Sequence, residues 1–272
     1  PDEATAVSQF GKGDKYFGVC TLLVTMPGLP LFGHGQVEGL VEKYGMEYRR
    51  AYWDEPVDEY LVARHREEIF PLMKKRHLFS GVENFNLYDF FRERGEVDEN
   101  VFAYSNRYEN ERSLIVYNNR FANTAGWIRL SSWRVEPGGK GMRKPVQTSI
   151  TRGLGLRAEA GDYCIFRDLR TGLEFIRSSR KIEKEGFHIL LEAYQCHVFY
   201  DFREIKDDEK GFLAALESSL RGAGTENIYR DLKKVRFADL YRPLNRLLHP
   251  ATARRLFRRP GRDATESGRE EA

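Results

Sequence analysis

Hydrophobic residues near the start of the chain form a long block and then a short run. Residues 14–26 are apolar on nearly every side of a helix, which predicts a buried helix capped by Asp14 and stopped by Pro27 and Gly28. Residues 29–32 are apolar again and lie between Pro-Gly and Gly-His-Gly, a pattern typical of a buried strand in a parallel sheet. We therefore expect a buried helix followed directly by a buried strand.

A long polar and aromatic loop follows, and after it the hydrophobic positions take up the period of an amphipathic helix. The loop covers residues 36–56. The helix is predicted from its cap, Asp58, to Arg76, with a kink at Pro71. Its inward face consists of Leu61, His65, Ile69 and Leu72.

The middle of the chain is a series of short β-type runs separated by Asn, Gly and Pro. These runs lie at 85–91, 101–105, 114–117, 127–130, 163–166, 187–194 and 196–202. Such runs at modest spacing predict an antiparallel sandwich, with residues 170–183 as a short helix inserted in the sheet. The strand order does not follow from the pattern.

Helical periodicity returns from Glu209 and ends near Pro250. Two terminal helices that close the fold are predicted from apolar faces at Phe212, Leu213, Leu216 and Leu220, and at Phe237, Leu240, Leu244 and Leu247. Large apolar residues are scarce beyond Pro250, so the tail, 251–272, is predicted to be disordered.

The order of buried helix, buried strand, long loop and amphipathic helix is the repeat unit of an α/β barrel. One such strand cannot close a barrel, so this portion needs more chain or a partner. The predicted fold class is α+β: the incomplete end of a (β/α)8 TIM barrel, an antiparallel β-sandwich and C-terminal helices. The predicted domains are a barrel remnant (1–78), the sandwich (79–206), the helices (207–250) and the tail (251–272).

Composition and charge exclude several classes of protein. Hydrophobic residues make up 41% and charged residues 31% of the 272 positions, which excludes collagen, a disordered chain and a disulfide scaffold. The 44 Lys and Arg against 41 Asp and Glu leave a formal net charge of +3, too balanced to indicate a nucleic-acid or membrane partner. We expect neither partner.

The three cysteines indicate the compartment of the protein, and the first residues indicate whether coding sequence precedes the chain. Cys20, Cys164 and Cys196 lie in or beside apolar runs, which predicts buried thiols without disulfides in a reducing compartment, the cytoplasm. The longest apolar stretch, 16–26, is too short to span a bilayer. The chain begins with Pro1 instead of Met and has no charged leader, so we expect that coding sequence precedes it.

The segment from Met26 to Glu38, with the sequence MPGLPLFGHGQVE, carries a family resemblance. It resembles the eighth barrel strand of the α-amylase family, glycoside hydrolase family 13, where Pro-Gly-x-Pro, four mostly apolar residues, Gly and then Gln or Asp precede Glu. The preceding helix lies at the distance that this family shows, and the following helix and β-type runs match its last barrel helix and C-terminal sandwich. Val37 stands where the family has that Glu, with Glu38 one residue later.

The resemblance implies a glycoside hydrolase or transglycosidase acting on α-glucans or α-glucosides. Its nucleophile and general acid come from earlier strands, so this chain alone is expected to be inactive and to depend on the missing N-terminal barrel part. The third carboxylate, a transition-state stabiliser, maps onto Asp2, with Pro1 where the family has His. A solvated terminal acid is the alternative interpretation of Asp2.

The loop after the predicted strand holds the candidate substrate-binding residues. His34, Gln36 and Glu38 either shape a sugar subsite or brace the strand end through hydrogen bonds. Tyr48 and Trp53 could stack on pyranose faces while Arg49 donates to hydroxyls, or these residues could form a packing hinge.

Other patterns give no further chemistry. The six histidines lack metal-ligand spacing, and His65 fits a structural role, so we expect no metal and no cofactor. The runs 138–141 and 153–155 are interpreted as turns. The alternative function is a non-catalytic module that braces the barrel or binds carbohydrate, in the latter case through a row of Trp127, Trp133 and Tyr163.

Overall fold

The N-terminal part of the chain is helical. The computed structural model describes residues 4–43, 50–137, 143–250 and 252. The helices are α1 (Ala6–Phe10), α2 (Asp14–Thr25), α3 (Glu59–Arg64), a π-helical turn (His65–Ile69), α4 (Phe70–Met73) and α5 (Arg76–Phe79). Both predicted helices are confirmed, and the loop between them contains no helix or strand in its described part.

The two predicted helix caps have different outcomes. Asp58 caps α3, because its Oδ1 accepts from the Leu61 amide at 3.1 Å. Asp14 is not a cap: Gly13 takes that position, and the Asp14 carboxylate instead pairs with Arg64 and Arg170, each at 3.0 Å. A carboxylate in the first turn still complements the positive end of the helix dipole.

The predicted irregularity at Pro71 takes the form of a π-helical turn. The amide of Phe70 donates to the carbonyl of His65, five residues earlier. Proline lacks an amide hydrogen and its ring collides with the carbonyl four residues before it, so a helix is kinked or interrupted where a proline enters it. One wider turn directly before Pro71 relieves the collision.

The strands form one curled antiparallel sheet with a separate hairpin. The strands are β1 (Asn86–Arg92), β2 (Val101–Tyr108), β3 (Glu111–Asn118), β4 (Thr124–Ser131), β5 (Arg134–Pro137), β6 (Arg143–Val146), β7 (Asp162–Asp168), β8 (Glu174–Ser178), β9 (Phe187–Leu191) and β10 (Cys196–Lys206). The large sheet has the order β8-β7-β10-β3-β2-β1-β4-β9, and β5 pairs with β6. All pairings are antiparallel, as predicted, but the described strands form a continuous sheet instead of the two stacked sheets of a sandwich.

The curl brings the two edges of the sheet close enough to share a core. Phe187 of β9, at one edge, lies 5.5 Å from the ring of Phe166 on β7, near the other edge. Phe166 also contacts Phe175, Phe199 and Phe202, with ring centroids 5.1–5.7 Å apart. The short helices α6 (Ile150–Gly153) and α7 (Ser179–Glu185) add Ile150 and Ile182 to this inner core.

The predicted inserted helix at 170–183 is partly wrong. Residues 174–178 form strand β8, in which buried and half-buried side chains alternate, and the helix α7 begins only after Ser178. The Ser178 hydroxyl accepts from the Lys181 amide and so caps α7. Pairing of β8 with β7 supplies backbone hydrogen bonds that a propensity for helix cannot offset.

The outer face of the sheet carries α2 and the α3–α4 region. A second core joins Tyr16, Phe17 and Leu61 of the helices with Tyr104, Ile115 and Val198 of the sheet. Contact is close at Gly18, where an added Cβ would lie 2.0 Å from the Tyr117 ring. The Thr25 and Tyr104 hydroxyls are hydrogen-bonded at 2.6 Å.

The C-terminal part begins with α8 (Phe212–Leu220), which buries Leu213 and Leu216 as predicted. Two further helices follow, α9 (Ile228–Arg236) and α10 (Ala238–Leu248). Residues 1–228 and 229–272 form two compact units. The structure contains α10 as a helix, as predicted, and its role in closing the fold stays a prediction. Most of the predicted disordered tail lies outside the described residues, and the other predicted domain boundaries stay predictions.

Candidate functional site

The predicted barrel strand is an extended segment without a strand partner. Within the described ranges, residues 29–32 make no backbone hydrogen bond. Leu29 and Leu31 are 92% and 83% exposed, whereas Pro30 and Phe32 are half-buried, and Phe32 packs against the outer core. The segment has the alternating side chains of a strand, but none of the described strands pairs with it, so the strand prediction is not confirmed in this chain.

The segment is held at its beginning by the helix that follows it in sequence. The amide of Gly28 donates to the carbonyl of Ser80 at 3.3 Å. The Arg76 guanidinium donates to the carbonyls of Gly28 and Val24. These bonds fix where the segment leaves α2.

A tight turn, 33–39, ends the segment and carries three of the predicted site residues. The Gln36 side-chain oxygen accepts from the Gly33 amide at 3.0 Å, and the Gln36 carbonyl accepts from the Tyr16 hydroxyl at 3.1 Å. Gly35 has φ +70, and a Cβ there would lie 2.7 Å from Leu40, so glycine is required at this position. Gln36 thus makes bracing contacts, which is one of its two predicted roles.

His34 and Glu38 lie on the same turn but differ in surroundings. His34 is exposed, whereas Glu38 is half-buried. The Glu38 carbonyl accepts from the Asp58 amide at 2.9 Å, which ties the turn to the start of α3. The structure therefore brings His34, Gln36 and Glu38 together, and their role in sugar binding stays a prediction.

A buried polar network lies beneath this turn. The Tyr16 hydroxyl lies 3.1 Å from Nε2 of His65, and Nδ1 of His65 lies 2.9 Å from the Leu61 carbonyl. Tyr16 and His65 are both fully buried. Burial lowers the pKa of His65, and the nearby Glu38 and Glu68 carboxylates oppose that shift only in part. The predicted structural role of His65 is confirmed.

Two groups beside His65 are also kept uncharged: the Tyr16 hydroxyl and the Cys20 thiol, whose sulfur accepts from the Gln36 side-chain amide at 3.8 Å. Burial is the main cause that raises the pKa of the Tyr16 hydroxyl and raises the pKa of the Cys20 thiol to about 11. A thiol with such a pKa is protonated at neutral pH and is a poor nucleophile. The network can therefore position the turn but offers no acid, base or nucleophile to a substrate.

Two carboxylates, which sequence reasoning missed, brace the long loop. Glu55 accepts from the amides of Val41 and Glu42, each at 2.7 Å. Glu42 accepts from the amides of Tyr52 and Trp53 at 2.7 and 3.1 Å. Together these four hydrogen bonds form a clamp, which consists of Glu42 and Glu55. Glutamates in a loop are usually solvated, so only the positions of these two residues, one near each end of the loop, could have indicated the clamp.

The clamp presents aromatic residues at the surface. Trp53 is 59% and Tyr52 is 71% exposed. A large aromatic ring held by its own backbone at the surface is suited to stacking on a sugar face. Asp2, Tyr48 and Arg49 lie outside the described residues, so their predicted roles stay predictions.

The stacking row considered on the sheet is not formed. Tyr163 is only 7% exposed and belongs to β7. Trp127 is half-buried, with its ring 4.7 Å from His188, and Trp133 is exposed. Tyr163 was assigned wrongly because inner and outer positions of β7 cannot be told apart when both faces of the strand are covered.

Neither a metal-binding cluster nor a membrane-spanning helix is found among the described residues. The described residues contain no group of three or more His, Cys, Asp or Glu side chains that could hold a metal ion. None of the described helices combines the length and apolar character needed to cross a bilayer.

Comparison with known proteins gives similar solved structures only. No protein-family model and no curated protein matches the chain. A noncanonic maltogenic alpha-amylase, AmyB, from Thermotoga neapolitana matches with a TM-score of 0.46 and 18% identity, covering 73% of this chain and 39% of that chain. An alpha-amylase from Geobacillus thermoleovorans, complexed with acarbose, matches with a TM-score of 0.43 and 13% identity over 70% of this chain and 33% of that one.

A debranching enzyme from Nostoc punctiforme also matches, with a TM-score of 0.40 and 14% identity, covering 73% of this chain and 33% of that one. The three solved structures named here are thus two alpha-amylases and a debranching enzyme. This chain spans about a third of their length.

Proposed function

We propose that this chain supplies the last strand and helix of a (β/α)8 catalytic barrel, and the antiparallel domain after it, in an amylase-like glycoside hydrolase or transglycosidase. The substrate class is α-glucans or α-glucosides. The two catalytic carboxylic acids would come from barrel strands outside this chain, so the chain alone would not turn over substrate. The three free thiols, Cys20, Cys164 and Cys196, suit a reducing compartment such as the cytoplasm.

The observation that carries the proposal is the unpaired extended segment, 29–32. Every second side chain, Leu29 and Leu31, lies in solvent, while Phe32 packs on the helices. A strand of an α/β barrel has this alternation, with one set of side chains facing the barrel interior and the other facing the helices. Neighbouring parallel strands would pair the free backbone groups and cover both leucines.

The sequence around the segment supports the same assignment. The MPGLPLFGHGQVE motif from Met26 to Glu38 resembles the family's eighth strand, and α2 and α3 flank it as barrel helices do. The turn 33–39 follows the C-terminal end of the segment, where barrel enzymes place their chemistry.

The residues of this chain would then act on the substrate in two ways. Asp2 would stabilise the positively charged sugar transition state by its fixed negative charge. His34, Gln36, Glu38, Tyr48, Arg49 and Trp53 would form a subsite in which hydroxyls are hydrogen-bonded and a pyranose face is stacked. Neither step requires a cofactor or metal from this chain.

The experiment that tests the proposal starts from the coding sequence upstream of Pro1. We expect an open frame that encodes Asp- and Glu-bearing barrel strands and ends in an Asn-His-like sequence. The longer product should release reducing sugar or transfer glucosyl units with starch, maltodextrin or trehalose, and the 272-residue chain should do neither. Measurable turnover by the 272-residue chain, or an upstream frame without barrel strands, would contradict the proposal.

A second candidate function is a non-catalytic module that braces a barrel. The outer core favours it, because Tyr104, Ile115 and Val198 of the sheet are buried by barrel-type helices. A bracing module needs no sugar affinity of its own. We expect no retardation of the 272-residue chain in affinity electrophoresis through glucan-containing gels, and millimolar or tighter binding would instead favour a carbohydrate-binding module.

A further inference from the structure

A polar cavity of about 240 Å³ lies at one end of the curled sheet, away from the turn 33–39. Its wall is built where β1 begins, β2 ends and α6 passes, with β5 and the residues after β6 on the other side. The residues used below are Asn84, Asn86, Arg107, Arg134, Arg152 and Gly153. They come from separate parts of the sequence, and no motif marks them.

Two arginines of the wall are held by neutral amides. Nη2 of Arg107 donates to Oδ1 of Asn84 at 3.0 Å, and Nη1 of Arg134 donates to Oδ1 of Asn86 at 2.9 Å. An amide oxygen orients a guanidinium group but leaves its charge in place. Among the residues that the structure describes, neither Arg107 nor Arg152 forms an ion pair with a carboxylate.

The charge on Arg107 is unfavourable in its present surroundings. Arg107 on β2 stands directly opposite Arg112 on β3, and like charges in that position repel. Arg112 is compensated by Glu204 at 2.9 Å, whereas Arg107 has only the amide of Asn84. In addition, Nε of Arg107 is buried and has no hydrogen-bond partner in the described part of the chain. A bound anion would offset the repulsion between Arg107 and Arg112, and it would accept a hydrogen bond from Nε of Arg107.

The turn Gly153-Leu154-Gly155 leaves room for this arrangement. A Cβ at Gly155, which has φ +63, would lie 2.9 Å from Nη1 of Arg107. A Cβ at Gly153 would lie 2.0 Å from the Tyr88 hydroxyl. Because Gly153 and Gly155 have no Cβ, the Tyr88 phenol and the Arg107 guanidinium group can lie close to the backbone at this end of the sheet. Sequence analysis interprets these glycines only as part of a turn.

We infer that this cavity binds the phosphate group of a small phosphate monoester. Among the described residues of the wall, Arg107 and Arg152 carry guanidinium groups without a carboxylate partner, and Glu83 is the only acidic residue. A phosphate monoester carries about −1.5 to −2 at pH 7, so it can neutralise both of these arginines, whereas a single carboxylate can neutralise only one of them. Guanidinium groups also match phosphate oxygens in geometry.

The size of the cavity limits the rest of the ligand. A volume of about 240 Å³ lies below the range of roughly 300–1,000 Å³ that drug-sized ligands occupy. Phosphate with a small organic group, such as a hexose, fits this limit. The inference does not depend on the proposed function, since the cavity lies within residues 83–153 and uses none of the candidate subsite residues.

Isothermal titration of the 272-residue chain tests the inference with four probes at constant ionic strength. We expect inorganic phosphate and glucose 6-phosphate to bind with one-to-one stoichiometry, gluconate to bind at least about tenfold more weakly, and glucose not to bind. Absence of binding by both phosphate compounds would overturn the inference. Gluconate binding as tight as that of glucose 6-phosphate would overturn the choice of a phosphate.

Matched charge variants locate the site. Arg107→Gln and Arg152→Gln should each weaken glucose 6-phosphate binding about tenfold or more. Arg180→Gln on α7, which removes an equally exposed arginine outside the cavity, should leave binding unchanged. Circular dichroism checks the fold of each variant. Arg152 is exposed, so its variant remains informative if Arg107→Gln fails to fold. Equal binding by Arg152→Gln and Arg180→Gln would overturn the site.

Discussion

At the scale of single residues, the candidate site depends on groups that never reach its surface. The Tyr16 hydroxyl joins His65 to the carbonyl of Gln36, and the Gln36 side chain closes the turn that presents His34. The buried imidazole, with its lowered pKa, acts as a neutral hydrogen-bonding group. The protonation state of one residue in the core therefore bears on the geometry of an exposed loop.

His65 predicts a pH dependence of stability. In the unfolded chain His65 titrates near its ordinary pKa of about 6.5, whereas the folded state, with a lower pKa, takes up its proton only at more acidic pH. The unfolded state thus binds more protons below about pH 6.5, so stability is lost as pH falls. We expect the free energy of unfolding to drop between pH 7.5 and 5.5, with His65 contributing on the order of 1 kcal/mol.

Urea denaturation followed by circular dichroism measures this contribution. His65→Gln, which cannot titrate, should show a smaller change over the same pH range than the wild-type chain. Other acids and histidines titrate in both proteins, so the difference between the two slopes isolates His65. Parallel slopes would contradict the assignment.

At the scale of elements, the position of α2 on the sheet is set by one close approach. Gly18 lets the backbone of α2 contact the ring of Tyr117 on β3, and the Tyr117 hydroxyl in turn donates to the Lys15 carbonyl at 3.3 Å. Glycine in the middle of a helix costs about 1 kcal/mol relative to alanine. Close packing of helix on sheet compensates for that cost.

Gly18→Ala should therefore destabilise the chain although alanine favours helix. The new Cβ would lie 2.0 Å from the Tyr117 ring, and overpacking of this kind costs about 1–3 kcal/mol. Gly33→Ala is the matched control, because the nearest atom to its added Cβ is 3.8 Å away. Thermal unfolding should show a lower Tm for Gly18→Ala and a Tm close to wild type for Gly33→Ala. A Tm for Gly18→Ala at or above wild type would mean that α2 does not approach β3 so closely.

At the scale of the whole molecule, the described residues form two hydrophobic cores, and the segment 29–32 leaves part of its apolar surface uncovered. The inner core fills the curled sheet, and the outer core joins the sheet to the helices. The extended segment 29–32 adds its half-buried side chains to the outer core but leaves Leu29 and Leu31 in solvent. The two leucines contribute nothing to these cores and are retained, in our proposal, for contacts with further barrel strands.

A double substitution tests whether Leu29 and Leu31 matter for the stability of this chain or for contacts with further barrel strands. Leu29→Asp with Leu31→Asp should change the free energy of unfolding of the 272-residue chain by less than about 0.5 kcal/mol, because both side chains are exposed. In the longer polypeptide that we propose, the same variant should lose activity and fold poorly, since two charges would enter the barrel interior. Leu61→Asp, at a fully buried position, is the control that should unfold both proteins. A longer protein that retains full activity with both aspartates would contradict the barrel assignment.

Elements whose signal is local could be predicted from the amino-acid sequence. The block at 14–26, the Asp58 cap and the β-type run at 196–202 predicted two helices and a strand correctly, because helix and strand periods and caps depend only on near neighbours. The motif at 26–38 also identified the turn that gathers His34, Gln36 and Glu38. Strand β8 and the hairpin of β5 and β6 were missed, since backbone pairing with the neighbouring strand outweighed their charged and proline-containing sequences.

Contacts between residues far apart in the sequence depend on the three-dimensional packing. The curl that brings Phe187 to Phe166, the clamp of Glu42 and Glu55, and the arginine-lined cavity around Arg107 join residues whose spacing carries no common period. Within the described residues, the segment 29–32 has no strand partner. Its own sequence could not show this, because hydrogen bonding in a parallel sheet depends on a neighbouring strand.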